Sequence, residues 1–211
     1  SRNKQMKKVL LINGSTHKEG CTYTALSEVA ATLEKHGITT EIFHIGTKPV
    51  RGCVACRQCA TLGKCVFNDD PCNELAALMA KADGIIIGSP VYYAGPNGAL
   101  CALLDRVFFS MDKRVVANKP GAAVVSCRRG GASAAFDRLN KYFTINCMPI
   151  VASQYWNSVH GNTPDETRRD LEGLQTMRTL GENMAWLLEN IEKAAIAAPA
   201  REPWTATNFI R

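Results

Sequence analysis

Residues 8–22, KVLLINGSTHKEGCT, run from an unbroken apolar stretch through a Gly-Ser-Thr turn into a helical pattern that continues from about Thr22 to His36. A strand with one wet face alternates apolar and polar residues. Val9 to Ile12 does not alternate, so the strand needs cover on both faces, as the strands of parallel sheets do. The same unit recurs along the chain: Thr39 to Ile45 is a second strand, Asp83 to Gly88 a third, Gly121 to Ser126 a fourth and Met148 to Ser153 a fifth. Helical patterns follow over Cys72 to Lys81, Asn97 to Met111, Ala132 to Tyr142 and Glu166 to Lys193. The expectation is an α/β fold: a doubly wound, five-stranded parallel sheet with helices on both faces, in three α/β/α layers. Residues 1–193 form that domain, with a cysteine-rich loop over 52–72 after strand 2, and 194–211, with Pro199 and Pro203, is an extended tail.

Composition narrows the function classes. The start of the chain, SRNKQMKK followed by a short apolar run, resembles no secretion signal, and a cytoplasmic location is expected. No apolar run is long enough to cross a bilayer. Nine cysteines in a reducing compartment point to free, catalytic or metal-bound thiols and away from a disulfide framework. Lys plus Arg exceed Asp plus Glu by 25 − 19 = 6, but the excess forms no basic stripe with interleaved aromatics. Nucleic acid is not the expected partner; a mild positive field suits small anionic ligands.

In a doubly wound fold the β-to-α loops gather at one rim of the sheet, where ligands bind. The first, GSTHKEGCT (Gly14 to Thr22), combines a glycine, clustered hydroxyls and a helix N-terminus, which suits a phosphate, with Lys18 as countercharge. The alternative is a plain Ser/Thr capping turn. It is not a Walker A loop, and the chain has no GxGxxG fingerprint. The loop after strand 3 begins SPVYYAGPNG, where Pro90, Gly95, Pro96 and Gly98 stiffen a turn holding Val91, Tyr92 and Tyr93 where a flat ring could pack. After strand 4, SCRRGGAS (Ser126 to Ser133) is a further glycine-rich turn with adjacent Arg128 and Arg129. Together the loops describe a site for a phosphate, a polar linker and an apolar ring.

VLLINGSTHKEGCT, IIIGSPVYYAGPNGALCALLDR and SCRRGGA resemble, in order and spacing, the FMN-binding loops of the flavodoxin-like NAD(P)H-dependent FMN reductases, and the likeness covers about residues 7–190. The resemblance implies FMN with its phosphate on Ser15, Thr16, Lys18, Cys21 and Thr22. Its ring would lie against Pro90, Val91, Tyr92, Tyr93, Ala94 and Gly95 on one side. Ser126, Cys127, Arg128, Arg129, Gly130 and Gly131 would form the other. The chain departs from the family's pattern at Thr16-His17, at Cys21, where the family often has Asn, and at Cys101, where it often has Lys. Arg128 or Arg129 beside the ring would stabilise anionic reduced flavin; solvated surface arginines are the other reading.

GCVACRQCATLGKC, Gly52 to Cys65, spaces Cys53, Cys56, Cys59 and Cys65 as C-x2-C-x2-C-x5-C. Two x2 gaps in a row bring three thiolates to one centre, as in ferredoxin cluster loops, whereas tetrahedral zinc sites use separated Cys-x2-Cys knuckles. The spacing also matches the compact motif of the iron-sulfur flavoproteins, a branch of the same group, which implies a [4Fe-4S] cluster. Zinc and free thiols stay open. Cys21, Cys72, Cys101, Cys127 and Cys147 fall at ordinary core positions.

Tyr155, Trp156 and His160, after strand 5, are expected to line a substrate site or to pack as a loop. Trp204 and Phe209 in the tail need burial, on a neighbouring subunit or on their own chain. The functional expectation is an FMN oxidoreductase carrying electrons from NAD(P)H to a quinone, an azo or nitro compound, free flavin or oxygen. A homodimer or homotetramer is expected, and the resemblance to the iron-sulfur flavoproteins implies one chain's cluster near another's flavin. The alternatives are a cluster-bearing electron carrier served by a ferredoxin-like donor, and a non-catalytic phosphate-binding or regulatory module. Receiver-type regulators need acids at the strand ends, where this chain has Asn13-Gly14 and Gly88-Ser89.

Overall fold

The computed structural model describes residues 6–208. Strands β1 (Lys8–Asn13), β2 (Thr39–His44), β3 (Gly84–Tyr92), β5 (Gly121–Cys127) and β6 (Ser158–His160) form a parallel sheet in the order β2-β1-β3-β5-β6. A two-residue strand, β4 (Gly95–Pro96), pairs antiparallel with the end of β3. The helices are α1 (Cys21–Lys35), α2 (Cys59–Leu62), α3 (Cys72–Lys81), α4 (Gly98–Ser110), α5 (Ala132–Ile145), α6 (Pro164–Arg169) and α7 (Leu171–Ala194).

β1 shows why the sheet is covered on both sides. Leu10 and Ile12 enter one core with Leu75, Ile85, Ile87, Leu100 and Phe143, beneath α3, α4 and α5. Val9 and Leu11 enter the other with Leu26, Val29, Ile86 and Met184, beneath α1 and α7. Alternate residues of one strand thus feed two cores, and each fully buried aliphatic side chain contributes about 1.5–3 kcal/mol. α1 crosses β3 closely because Gly88 has no side chain; a Cβ there would lie 2.9 Å from Leu26 and from Thr22.

The sheet differs from the expected five strands in two ways. The first is β4: β3 continues past Gly88 into a hairpin whose turn residues, Tyr93 (φ 50°) and Ala94 (φ 58°), are left-handed without being glycine. Such conformations cost about 1–3 kcal/mol each and mark a turn held by its surroundings. The second is the fifth parallel strand, which is not Met148 to Ser153. Only Ile150 bridges to Gly121 there, and Ile150 is surface-exposed. The chain then leaves the sheet and returns at Ser158. At the return, Asn157 replaces a strand residue: its Nδ2 donates to Ala123 O (3.0 Å) and its carbonyl accepts from Val125 N (3.0 Å).

The expected helix over Glu166 to Lys193 is two helices. Asp170 interrupts it, and its Oδ1 accepts from Gly173 N (2.9 Å) to cap α7. Among the described residues no regular element follows Ala194, and Trp204 is exposed; Phe209 lies outside them. No helix is long and apolar enough to cross a membrane among the described residues.

Candidate functional site

The loop between β1 and α1 is braced from within. Asn13, fully buried at the end of β1, accepts from Ser15 N through Oδ1 (3.1 Å) and donates through Nδ2 to Lys18 O (3.0 Å). Ser15 Oγ accepts from His17 N (3.1 Å), and His44, at the end of β2, donates from Nε2 to Ser15 O (2.8 Å). Gly14 N donates to Gly88 O (2.9 Å), and a Cβ on Gly14 would lie 2.7 Å from that oxygen, so only glycine fits. Gly20 then stands at the N-cap of α1, which has no side-chain cap and no acid in its first turn. Its first N–H groups and the positive end of its dipole are left for an anion.

Two further loops complete a cleft of about 310 Å³. Of the residues named from sequence, Ser15, Cys21, Thr22, Pro90, Val91, Tyr92, Ser126 and Arg128 line it. Thr22 Oγ1 and Ser126 Oγ are 2.8 Å apart, which joins the first loop to the loop after β5 across the sheet. Gly131 (φ 90°) lets that loop pack on the β3–β4 turn, since a Cβ would lie 2.9 Å from Ala94 Cα. Cys127 is buried with Sγ donating to Gly130 O (2.9 Å), closing the turn from behind. Thr16 and Lys18 are exposed on the first loop, and Tyr93, Ala94, Arg129 and Gly130 are exposed on theirs; none of these lines the cleft, nor do Gly95 and Gly131.

Sequence reasoning missed part of one wall. Gly161, Asn162 and Pro164, just past β6, line the cleft, and Cys21 Sγ donates to Gly161 O (3.8 Å). The signal was the HGN turn after Val159, hidden because the strand before it was misplaced. Tyr155 and Trp156 lie outside the cleft. They contact each other with ring centres 5.1 Å apart on the loop outside β6, which is tied to α7 through Gln154 to Gln175 and Thr179. His160 is also outside the lining, near Asp170.

The cysteine loop is built differently. Cys53, Cys56, Cys59 and Cys65 line one narrow pocket of about 20 Å³ with Val54, Phe67, Phe109 and Arg106. Cys53 and Cys56 are exposed; Cys59 and Cys65 are partly buried. Ala55 (φ 54°) and Arg57 (φ 57°) turn the backbone between them. Cys65 is held from the scaffold: Asn73 accepts from its N (3.0 Å) and donates to its O (2.9 Å), and Arg106 Nη2 donates to its Sγ (3.2 Å). Arg106 also donates to Arg51 O (3.1 Å) and Phe67 O (3.4 Å) and is paired with Asp70. Sequence reading passed over Arg106 because one arginine in a helical pattern reads as a surface residue with a buried stem.

A single ion needs three or more donors about 2.3 Å from one point, and no such group occurs among the described residues. The four thiols line one narrow pocket beside a buried guanidinium without meeting at a single point. Of the remaining cysteines, Cys72 and Cys127 are buried as expected, and Cys101 is partly so; Cys147 is exposed and Cys21 stands on the cleft wall. Burial pushes the Cys72 thiol up from 9.0 to about 12.

The doubly wound sheet in this order, with a cleft at the rim where the chains leaving β1 and β3 turn to opposite faces of the sheet, defines the flavodoxin-like fold. The chain belongs to the NADPH-dependent FMN reductase family, whose model matches residues 7–163, and within it to the iron-sulfur flavoprotein branch. It is 34% identical over 196 residues to an iron-sulfur flavoprotein of Methanocaldococcus jannaschii, spanning 88% of this chain and 100% of the relative. It is 29% identical over 190 residues to the iron-sulfur flavoprotein of Methanosarcina thermophila, spanning 88% and 97%. Among solved structures, RosB with a bound 8-demethyl-8-formylriboflavin-5'-phosphate superposes with a TM-score of 0.69 at 14% identity, over 97% of this chain and 96% of that one. A flavodoxin, WrbA-like protein from Agrobacterium tumefaciens gives 0.60 at 16%, over 88% and 99%. These two likenesses concern the fold.

Proposed function

We propose that the chain binds FMN across the cleft and passes electrons from NAD(P)H to a small acceptor such as a quinone, an azo or nitro compound, free flavin or oxygen. The phosphate would sit on the loop of Ser15, Thr16, Lys18, Cys21 and Thr22, and the ring between the Pro90–Gly95 hairpin and the Ser126–Gly131 turn. One observation carries this reading: α1 starts uncapped and without an acid, behind a loop that Asn13 and His44 already hold in place. Bound FMN supplies hydride acceptance and electron delivery, so the side chains have to bind, orient and bias it. Arg128, on the cleft wall, would favour the anionic reduced ring.

Calorimetric titration of flavin-free protein with FMN and with riboflavin tests the placement. Riboflavin is expected to bind at least about 100-fold more weakly, since it lacks the group the first loop holds, a difference of about 2.7 kcal/mol. Equal affinities would remove the phosphate from that loop. NADH and NADPH oxidation by the FMN-loaded protein then measures the donor.

A second reading, an electron carrier served by a ferredoxin-like donor, is favoured by the convergence of Cys53, Cys56, Cys59 and Cys65 on one pocket. These four thiolates would hold a [4Fe-4S] cluster, which supplies one-electron exchange. Fast anaerobic reduction by a ferredoxin with no NAD(P)H turnover would decide for this reading, and steady NADPH turnover for the first. The cleft and the cysteine pocket share no lining residue, so a homodimer or homotetramer that brings one chain's pocket to another's ring belongs to this reading. Light scattering on the eluting protein measures the copy number.

A further inference from the structure

Arg106 is 2% exposed, and its guanidinium has five N–H donors to satisfy. Nη1 serves Arg51 O and Asp70, and Nη2 serves Phe67 O and Cys65 Sγ. Nε is buried and has no partner, the one charged group among the unpartnered buried atoms of the described residues. The carbonyls and Asp70 would be enough to strap the loop to α4. A strap does not account for a donor spent on a thiol sulfur, nor for an unpartnered N–H on a side chain that lines the same pocket as all four cysteines. Both features fit a pocket that takes up negative charge on sulfur.

We propose that Arg106 is the charge partner of the four-cysteine pocket, a positioning residue that donates to Cys65 Sγ and biases a sulfur-ligated cluster toward its reduced state. The inference rests on the second reading above. A thiolate-bound cluster is an anion, and reduction adds one electron from a one-electron donor with no bond broken and no proton moved. Hydrogen bonds to its sulfurs and a nearby cation stabilise the added charge and raise the potential. Asp70, paired with Nη1, offsets the cation's desolvation and also accepts from Cys72 N (3.1 Å).

The test uses full-length protein, purified anaerobically and titrated with dithionite, and compares the wild type with Arg106→Lys and with the double variant Arg106→Gln/Asp70→Asn. Lysine keeps the charge and loses the fork; the double variant leaves no buried charge unpaired, so it folds if the single variant does not. The midpoint of the bound flavin in the same sample serves as internal control. With iron retained, the cluster is expected to become about tenfold harder to reduce, a midpoint lowered by about 59 mV, while the flavin midpoint stays put. Iron retained at an unshifted midpoint in both variants overturns the inference and leaves the cluster reading standing. Iron lost from both variants with flavin retained also overturns it, because Arg106 would then be only a strut. A wild type with no iron or sulfide sinks the cluster reading and this inference with it.

Discussion

The phosphate loop, residues 14–22, and the cysteine loop, residues 52–65, both follow strands of the same parallel sheet and emerge at the same rim, yet they are held in opposite ways. Hydrogen bonds from Asn13, His44 and Gly88 reach into the phosphate loop along its length. The cysteine loop is clamped at Arg51 and at Cys65, and between these ends every hydrogen bond among the described residues is local. The first loop is preformed for its ligand, so little ordering entropy is lost on binding. On the cluster reading proposed above, the second would gain its final shape from what its thiols hold, as ligand-dependent loops do.

The largest effect that sharpens this contrast lies at the clamp. Asp70→Ala leaves Arg106 buried without its carboxylate, and urea denaturation of flavin-free protein is expected to show a loss of about 3–5 kcal/mol. A loss under about 1 kcal/mol would mean that water reaches the pair and the clamp is weak. Next come two substitutions compared with each other. Asn13→Ala removes both hydrogen bonds of a buried side chain and is expected to cost about 2 kcal/mol of stability together with a weaker grip on FMN. Cys56→Ser, between the two clamped ends of the cysteine loop, should leave the stability of metal-free protein to urea within about 0.5 kcal/mol while iron content falls. If the two cost the same, the loops are not differently built.

Thr22→Val keeps the shape and removes the link to Ser126. FMN affinity is expected to fall about tenfold, near 1.4 kcal/mol, with stability changing by less than about 1 kcal/mol. The smallest effect is in the alkaline limb. The Cys72 thiol stands near 12 in the fold against 9.0 when unfolded, so its contribution to stability is complete below pH 9 and declines as pH rises toward 12. A Cys72→Ala variant should show a flatter fall in stability over that window. Iodoacetamide at pH 8 should meanwhile modify exposed Cys53 and Cys56 in metal-free protein and spare Cys72.

What was legible in the sequence follows from where each signal is written. β1 and its loop could be read because burial on both faces leaves an unbroken apolar run, and a glycine turn leads into a helix at once. The cysteines announced themselves by spacing alone. The fifth strand could not be read: its pairing is split between Ile150 and Ser158–His160, with a side chain, Asn157, making the bond between them. The cleft wall at Gly161 and Asn162 was lost with it. Arg106 was invisible for a different reason, since its meaning comes from Arg51, Cys65, Phe67 and Asp70, which only the folded chain brings to it.

The central claim is that the rim grips FMN at a ready-made loop while the cysteine loop closes on iron and sulfide. Flavin, iron and sulfide assays with a visible spectrum, on protein purified without oxygen, test both halves at once. The expected result is about one FMN with about four iron and four sulfide per chain. Protein that stays colourless throughout and takes up no added FMN would contradict the account.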